Sequence, residues 1–314
     1  MMVDIVIVNW NSGSMLRECV ESISRVAFNF VANVVVVDNG SVDGSDANLI
    51  FQNNNLFVRC IRAEENLGFS KACNLGASYC NSEFILFLNP DACLHQDSID
   101  KVISFMLSDE ASRVAVCGVK LLDDSGNVAR SCARFPSLCT YVGHCTGLSK
   151  FFPVIFPSHF MIEFDHLSNK FVDEVIGAFF FVRRSVFDEL HGFDTRYFVY
   201  FEELDFALRA KMLGWNSYYL ADASAYHKGG GTSDQVKAHR LFYSLRSRMI
   251  YGFRHFSRPA AWGVVMLTML VEPWPRLARA LLRRSWQEAR DTCWGYGMLW
   301  KDLPATLGKG CIDG

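Results

Sequence analysis

The first 120 residues switch repeatedly between two hydrophobic periods. Short runs rich in β-branched and aromatic residues occur at 4–8, 33–37, 57–61, 84–88 and 114–119. Between them, apolar residues recur three and four apart at about 14–27, 44–53, 69–80 and 96–107. Strand and helix in alternation predict a parallel sheet covered on both faces. Runs such as VVVV (34–37) and FILFL (84–88) lack the polar alternation of a strand with one wet face, and so predict strands buried on both sides. The chain is read as an α/β protein with a Rossmann-like, mostly parallel central sheet and helices on both faces.

From about 122 to 172 the pattern weakens. Phe and Pro cluster there without a clear period, which predicts an irregular excursion over the sheet edge. Regularity returns at 175–182, in a helix over 202–213 capped by Gly214, and in a strand at 217–220. Tyr226, His227, Lys228 and a run of three glycines follow. The last seventy residues read as helical. Within them a helix over about 274–290 places Leu277, Ala278, Leu281, Leu282 and Ala289 on one side and Arg276, Arg279, Arg283 and Arg290 on another. Together with apolar residues 260–271 this predicts an amphipathic tail lying in a membrane surface, or else packed on the domain.

Charge sharpens that picture. The formal net charge is only −2, but residues 237–301 hold twelve Lys/Arg against three Asp/Glu. A basic tail on an acidic body suits an anionic surface. No nucleic-acid recognition module is present, so a membrane is the expected partner rather than nucleic acid. No run of about 20 apolar residues exists, so no segment is expected to span a bilayer. The eleven cysteines are odd in number and contain no CxxC pair, and the chain enters a strand-like sequence, VDIVIVNW, at once. Both point to reduced thiols in the cytoplasm. Cys132, Cys139, His144 and Cys145 match no compact zinc spacing.

In open parallel sheets ligands bind beyond the carboxyl ends of the strands. Those ends are polar here. The first run ends in Asn9, Trp10 and Asn11, the second in Asp38, Asn39, Gly40 and Ser41. The third leads to Glu64, Glu65, Asn66, Leu67 and Gly68, and the fourth ends in Asn89, Pro90 and Asp91. Asp38 suits a ribose hydroxyl or a base NH, though Asp before Gly and Ser is also a common turn former. The stretch NLGFSKACNLG (66–76) suits a diphosphate held by backbone amides at a helix start, or is an ordinary junction. Asp91 suits Mg2+ or Mn2+, which prefer oxygen ligands and bridge phosphates. His227, ahead of a glycine run, is a further candidate for metal or phosphate contact, though a lone His is more often structural. GxGxxG after the first strand and GxxxxGK[ST] are both absent, which argues against a dinucleotide fold and a P-loop.

Glu202, Glu203 and Asp205 open the helix at 202. Acidic residues suit a helix start, but three in four positions repel one another. Confinement raises a carboxylate pKa and makes a better base. Asp205 is spaced to pair with Arg209, which leaves the chemistry to the two glutamates.

The strings VIVNWN, VVVDNGSVDGS, NLGFSKACNLG, LFLNPDA, GAFFFVRRSVFDELHGFD, YFEELDFALRAKMLGW and YHKGGGTS stand in one order over residues 3–232. This order resembles the inverting family-2 glycosyltransferases of the GT-A fold, most of all bacterial rhamnosyltransferase-like enzymes of O-antigen and cell-wall assembly. The resemblance implies a nucleotide-binding half at 1–120 and an acceptor and catalytic half at 121–235, followed by the basic helical tail at 236–314. It implies transfer from a dTDP-, UDP- or GDP-linked sugar, rhamnose by the nearest likeness, to a glycan or lipid-linked acceptor, with a divalent metal. Asn9, Asn11 and Asp38 would hold the nucleoside. Asn66, Gly68, Phe69 and Asn74 would lie on the donor-site loop and helix. Asp91 matches the last aspartate of the DXD motif, His227 can complete the metal site, and Glu203 is at the base position with Glu202 beside it. Two departures stand out: DXD reads Asn89-Pro90-Asp91, and the Glu-Asp pair reads Glu-Glu. A nucleotidyltransferase or a non-catalytic nucleotide-sugar binder are the alternatives. The expected location is the cytoplasm, peripheral at the inner face of the cell membrane.

Overall fold

A computed structural model describes residues 2–26, 30–47, 57–229 and 236–311. The chain divides into two compact units. One comprises Met1–Arg134, Phe160–Thr195 and Glu202–Thr232, the other Phe135–His159, Arg196–Phe201 and Ser233–Gly314.

The larger unit begins as its periodicity predicts. β1 (Val3–Asn9), α1 (Met15–Val26), β2 (Val31–Asp38), β3 (Val58–Arg62), α2 (Phe69–Ala77) and β4 (Phe84–Leu88) alternate along the chain. The helix expected at 44–53 falls largely outside the described residues, and 45–47 form a turn. β5 (Ala92–Leu94), α3 (Ser98–Met106), β6 (Val114–Leu122), β7 (Val128–Ala129) and β8 (Cys132–Ala133) follow. Then come β9 (Lys170–Val172), β10 (Glu174–Val175), β11 (Phe179–Arg183), α5 (Arg184–Glu189), α6 (Glu202–Met212) and β12 (Asn216–His227).

The sheet order is β3-β2-β1-β4-β11-β6-β12-β5. β3, β2, β1 and β4 are mutually parallel. Beyond β4 the sheet is mixed, because β11 runs antiparallel between β4 and β6. The run at 175–182 therefore holds two short strands rather than one. The strand order reverses at β1 and β4, so their carboxyl ends open the crevice where ligands bind in such sheets.

Alternation along each strand sorts side chains to two buried faces. Val3, Ile5 and Ile7 of β1 pack with Leu16, Val20 and Ile23 of α1. Val6 and Val8 face Ala72, Cys73 and Ala77 of α2, in a cluster shared with Phe206 and Ala210 of α6. This is why the strands show no polar alternation. α2 lies so close to the sheet that a Cβ on Gly76 would come within 2.4 Å of Val6 Cγ1. Phe87, Phe193 and Phe206 interlock, with centroids 5.0 Å apart for Phe87–Phe193 and 5.6 Å for Phe193–Phe206. Gly214 ends α6 at φ +85°, a conformation that side-chain-bearing residues avoid.

The second unit is helical: α4 (Leu138–Thr146), α7 (Lys237–His255), α8 (Arg258–Met266), a π turn (Leu267–Val271), α9 (Pro273–Leu282) and α10 (Trp286–Cys311). The irregular stretch at 122–172 thus contains a helix. Its start is fixed by a capping box in which Ser137 and Thr140 each accept the other's backbone N–H. Leu245, Met249, Val265, Met269, Tyr296 and Leu299 form the core of this unit. The single helix expected over 274–290 is two helices, interrupted after Leu282 with Arg284 at φ +52°. Leu281 and Leu282 are exposed, as are Arg279, Arg283 and Arg290, while Arg276 turns inward to Glu272. Among the described residues no helix is long and apolar enough to cross a membrane.

Candidate active site

All the residues singled out as candidates lie in the larger unit, and most stand just past strand ends. The loops after β1 and β2 are tied by Asn9. Its amide donates to Asp38 Oδ1 at 2.7 Å, to Ser45 Oγ at 2.8 Å and to Ser41 Oγ at 3.1 Å. Ser12 donates to Asn9 Oδ1. Ser41 N–H reaches Asp38 Oδ2 at 3.1 Å. Asn11, at φ +50°, accepts from Val42 N at 2.8 Å, and its own N–H donates to Ser41 Oγ at 3.0 Å. Asn9 and Asp38 are buried. Each Asp38 oxygen keeps a second lone pair beyond these bonds, so this is a preorganised acceptor rather than a loose turn.

Asn66 and Gly68 are joined to this cluster by Asn39, which sequence reasoning did not single out. Asn39 donates to Asn66 Oδ1 at 2.9 Å and to Gly68 O at 3.3 Å, and accepts from Leu67 N at 2.8 Å. Its only signal was an amide between Asp38 and Gly40 at a strand end. Gly68, at φ +82°, starts α2 without a side-chain cap, leaving the amides of the first turn of α2 open to an anion. Asn74 is engaged elsewhere. Its amide donates to Phe193 O at 2.8 Å and accepts from Phe193 N at 2.9 Å. It clamps the 192–193 turn to α2.

Asp91 and His227 are brought together by sheet register. β12 pairs antiparallel with β5, placing His227 opposite Ala92. His227 Nε2 then lies 3.4 Å from Asp91 Oδ1, and Lys228 N–H donates to Asp91 O at 3.1 Å. Gly229 is described, at φ +69°, while Gly230 and Gly231 lie outside the described residues. Among the described residues no group of three or more His, Cys, Asp and Glu side chains converges as a metal cluster. One carboxylate and one imidazole still fit a divalent ion such as Mn2+ or Mg2+, provided that phosphate oxygens and water complete its shell.

Glu203 stands in the first turn of α6. Its Oε1 accepts from Gly177 N at 3.3 Å, and its Oε2 is buried with no hydrogen-bond partner among the described residues. Burial raises the Glu203 carboxyl above its ordinary value, against the lowering effect of the Gly177 N–H and a Glu202 contact. A Cβ on Gly177 would lie 3.2 Å from Glu203 Oε1 and 4.0 Å from Phe69 Cε1, so Phe69 and the glutamate meet at this glycine. Glu202 is buried. Glu174 on β10 was not foreseen. It is buried, and its carboxyl is pushed well up by burial and then by Glu203. An acid inside the apolar stretch VDEVIG was its signal. Asp205 is fully buried and pairs with Arg209 at 2.7 Å. Arg209 also donates to the carbonyls of Leu190 and Gly192.

The two acidic groups share one end of the sheet. β11 runs antiparallel to β4, so the residues leading into β11 continue past the end of β4. Asn89 N–H accordingly donates to Ala178 O at 3.1 Å, one residue from the Gly177 amide that holds Glu203. The Asn9–Asp38 cluster, an open helix N-terminus, an Asp–His pair and a buried glutamate therefore gather around the switch between β1 and β4.

Known proteins resemble this chain. The family model described as "Glycosyl transferase family 2" matches residues 4–191. An N-acetylglucosaminyl-diphospho-decaprenol L-rhamnosyltransferase of Mycobacterium tuberculosis is 28% identical over 82% of this chain and 87% of its own length. The rhamnosyltransferase WbbL of Escherichia coli is 29% identical over 51% of this chain and 60% of its own length. The mannosyltransferase PcManGT of Pyrobaculum calidifontis, solved with GDP-Man and Mn2+, superposes with a TM-score of 0.53 at 16% identity, over 99% of this chain and 86% of its own. With 188 consecutive residues matched, from the first strand through α5, the chain belongs to glycosyl transferase family 2 and is a glycosyltransferase of the GT-A fold.

Proposed function

We propose that this enzyme transfers a sugar, rhamnose by likeness to its relatives, from a nucleotide-diphosphate donor to a hydroxyl of a lipid-linked glycan in cell-envelope assembly, with inversion at the anomeric carbon. The observation that carries the reading is Glu203. It is a buried carboxylate fixed by the Gly177 amide, with its second oxygen uncommitted, at the strand end that also carries Asp91.

In this reading Asn9, Asn11 and Asp38 receive the nucleoside, and Asn66 and Gly68 set the loop that leads to Phe69 and the α2 amides. Asn74 acts by holding the turn at Phe193 rather than by touching the donor. Asp91 and His227 would hold the metal. A divalent ion bound there supplies charge neutralisation to the leaving diphosphate. Glu203 takes the proton of the acceptor hydroxyl as that oxygen attacks the anomeric carbon from the face opposite the diphosphate. Glu202 supports it, and is the alternative base. The first 120 residues serve the donor, the following residues to 235 serve the acceptor, and the tail from 236 rests on the inner face of the cell membrane, where a lipid-linked acceptor is found.

The test is a transfer assay with dTDP-rhamnose and the corresponding UDP- and GDP-sugars on a polyprenyl-diphosphate-linked sugar. Wild-type protein is expected to make the inverted glycoside and Glu203→Gln none, with donor binding retained. Undiminished turnover by Glu203→Gln would remove it from the base role. Binding without transfer by the wild type would leave a nucleotide-sugar binder instead.

A further inference from the structure

The helical unit exposes a second apolar element besides its C-terminal helices. α4 ends at Gly147, one 3-10 turn runs over Leu148–Lys150, and residues 151–155 then read FFPVI. Phe151 is 77% exposed, Phe152 53%, Val154 94% and Ile155 61%. Four large apolar side chains at one loop tip are unusual on a free surface.

Most backbone N–H groups of this tip are bonded within it. Phe151 and Phe152 donate to Leu148 O at 3.0 and 2.8 Å, and Ile155 and Phe156 donate to Phe152 O at 3.2 and 2.9 Å. Pro153 has no N–H. Of the six residues 151–156, all but Val154 thus have their N–H groups bonded within the loop or lacking. These internal bonds lower the cost of a shallow insertion at headgroup depth, where water still reaches the loop carbonyls. The root is anchored, because Phe156 lies against Gly143 of α4, where a Cβ would come within 2.5 Å of Phe156 Cβ. α4 in turn packs on α8 and the π turn, so the tip is carried by the same unit as the exposed Trp274, Leu281, Leu282 and Trp286.

Charge selects the occupant. This unit holds fifteen Lys/Arg against six Asp/Glu, and residues 135–159 contain no acid. Exposed Lys150 flanks the tip, where its stem can lie along lipid with the ammonium at the headgroups. A second copy of so cationic a unit would be repelled, whereas an anionic lipid surface is complementary. We propose that residues 151–155 are a membrane-inserting loop that docks the helical unit on anionic lipid beside the tail helices. The proposal deepens the membrane-surface reading given above and rests on it.

The experiment is co-sedimentation of the full chain with phosphatidylglycerol-containing vesicles and with pure phosphatidylcholine vesicles. Val154→Asp, at a side chain with no packing to lose, is compared with Leu282→Asp in the tail, and with thermal shift by the nucleotide sugar as the folding control. The expected result is about tenfold weaker partitioning of Val154→Asp into anionic vesicles, with the donor-induced shift unchanged. If Leu282→Asp loses binding and Val154→Asp binds as wild type, the loop is not inserted and only the tail reading survives. If the wild type ignores both vesicles, both readings fail. If light scattering finds a dimer that Val154→Asp dissociates, the loop is a protein interface and the proposal is overturned.

Discussion

Glu203 meets the backbone N–H of Gly177 at 3.3 Å. That bond joins the first turn of α6 to the stretch that continues β11 beyond the end of β4. The proposed general base is therefore held by the turn that leads into β11. The contact also orients the carboxylate, since Oε1 is held and Oε2 is left for a proton.

Removing the base should lower turnover by roughly 10²- to 10⁴-fold while leaving donor affinity in place. Glu203→Gln keeps size and the Gly177 contact, so a loss confined to kcat in steady-state kinetics identifies proton transfer. Burial holds the Glu203 carboxyl above the ordinary 4.5, and a base works only when ionised. The acidic limb of the wild-type rate profile should therefore fall at a pH above that value. An acidic limb at or below 4.5 would contradict the assignment.

Gly177→Ala should move the base without removing it. The new Cβ would lie 3.2 Å from Glu203 Oε1, tighter than ordinary contact. The expected outcome is a fall in kcat of roughly 10- to 100-fold, with KM for the donor little changed. Wild-type kcat would mean that the glutamate needs no such placement.

Asp91→Ala and His227→Ala should differ in kind. Asp91 supplies the oxygen that a hard divalent ion prefers, so its loss should abolish metal-dependent transfer. Loss of His227, 3.4 Å away, should raise the Mn2+ concentration needed for half-maximal activity by about tenfold, and excess Mn2+ should restore the rate. Exhaustive chelation should stop the wild type. Full activity after chelation would exclude a metal role for the pair.

In the helical unit, Arg248 is buried against Glu272 at 2.5 Å, and Arg276 joins at 2.7 Å. Burial alone would raise the Glu272 carboxyl, but Arg248 and then Arg276 outweigh it and bring it down to about 2. A carboxylate with a lowered folded pKa stabilises the protein above its unfolded value of 4.5. That contribution, about 3 kcal/mol here, is lost as pH falls from 4.5 towards 2. Glu272→Ala leaves Arg248 buried without its carboxylate and should cost about 3–5 kcal/mol. Urea unfolding at neutral pH measures the loss, and a change below 1 kcal/mol, about the worth of an exposed pair, would show that the pair is solvated.

Asn74→Ala should separate positioning from donor contact. Two hydrogen bonds to Phe193 are lost, so stability should fall by about 2 kcal/mol. Donor affinity, read by calorimetry well below the melting point, should hold. A large loss of donor affinity without loss of stability would place Asn74 in the donor site.

What the sequence determined by itself is local or ordered along the chain. Continuous apolar runs specified strands buried on both faces, because each side chain in them needed a dry neighbour. Polar residues at the ends of β1, β2 and β4 located the crevice, because a parallel sheet directs its strand ends to one side. The order of seven strings identified the family. Tertiary structure decided everything that depends on partners distant in sequence. Only the register of β12 on β5 brings His227 to Asp91, and only the antiparallel β11 brings Gly177 to Glu203. Packing gave the Asn74 amide to Phe193, drew Glu174 beside Glu203, and took residues 135–159 out of the sheet and into the helical unit. Periodicity reports which face of an element is dry. It carries no record of which other element covers that face, and at this site the partners set the chemistry.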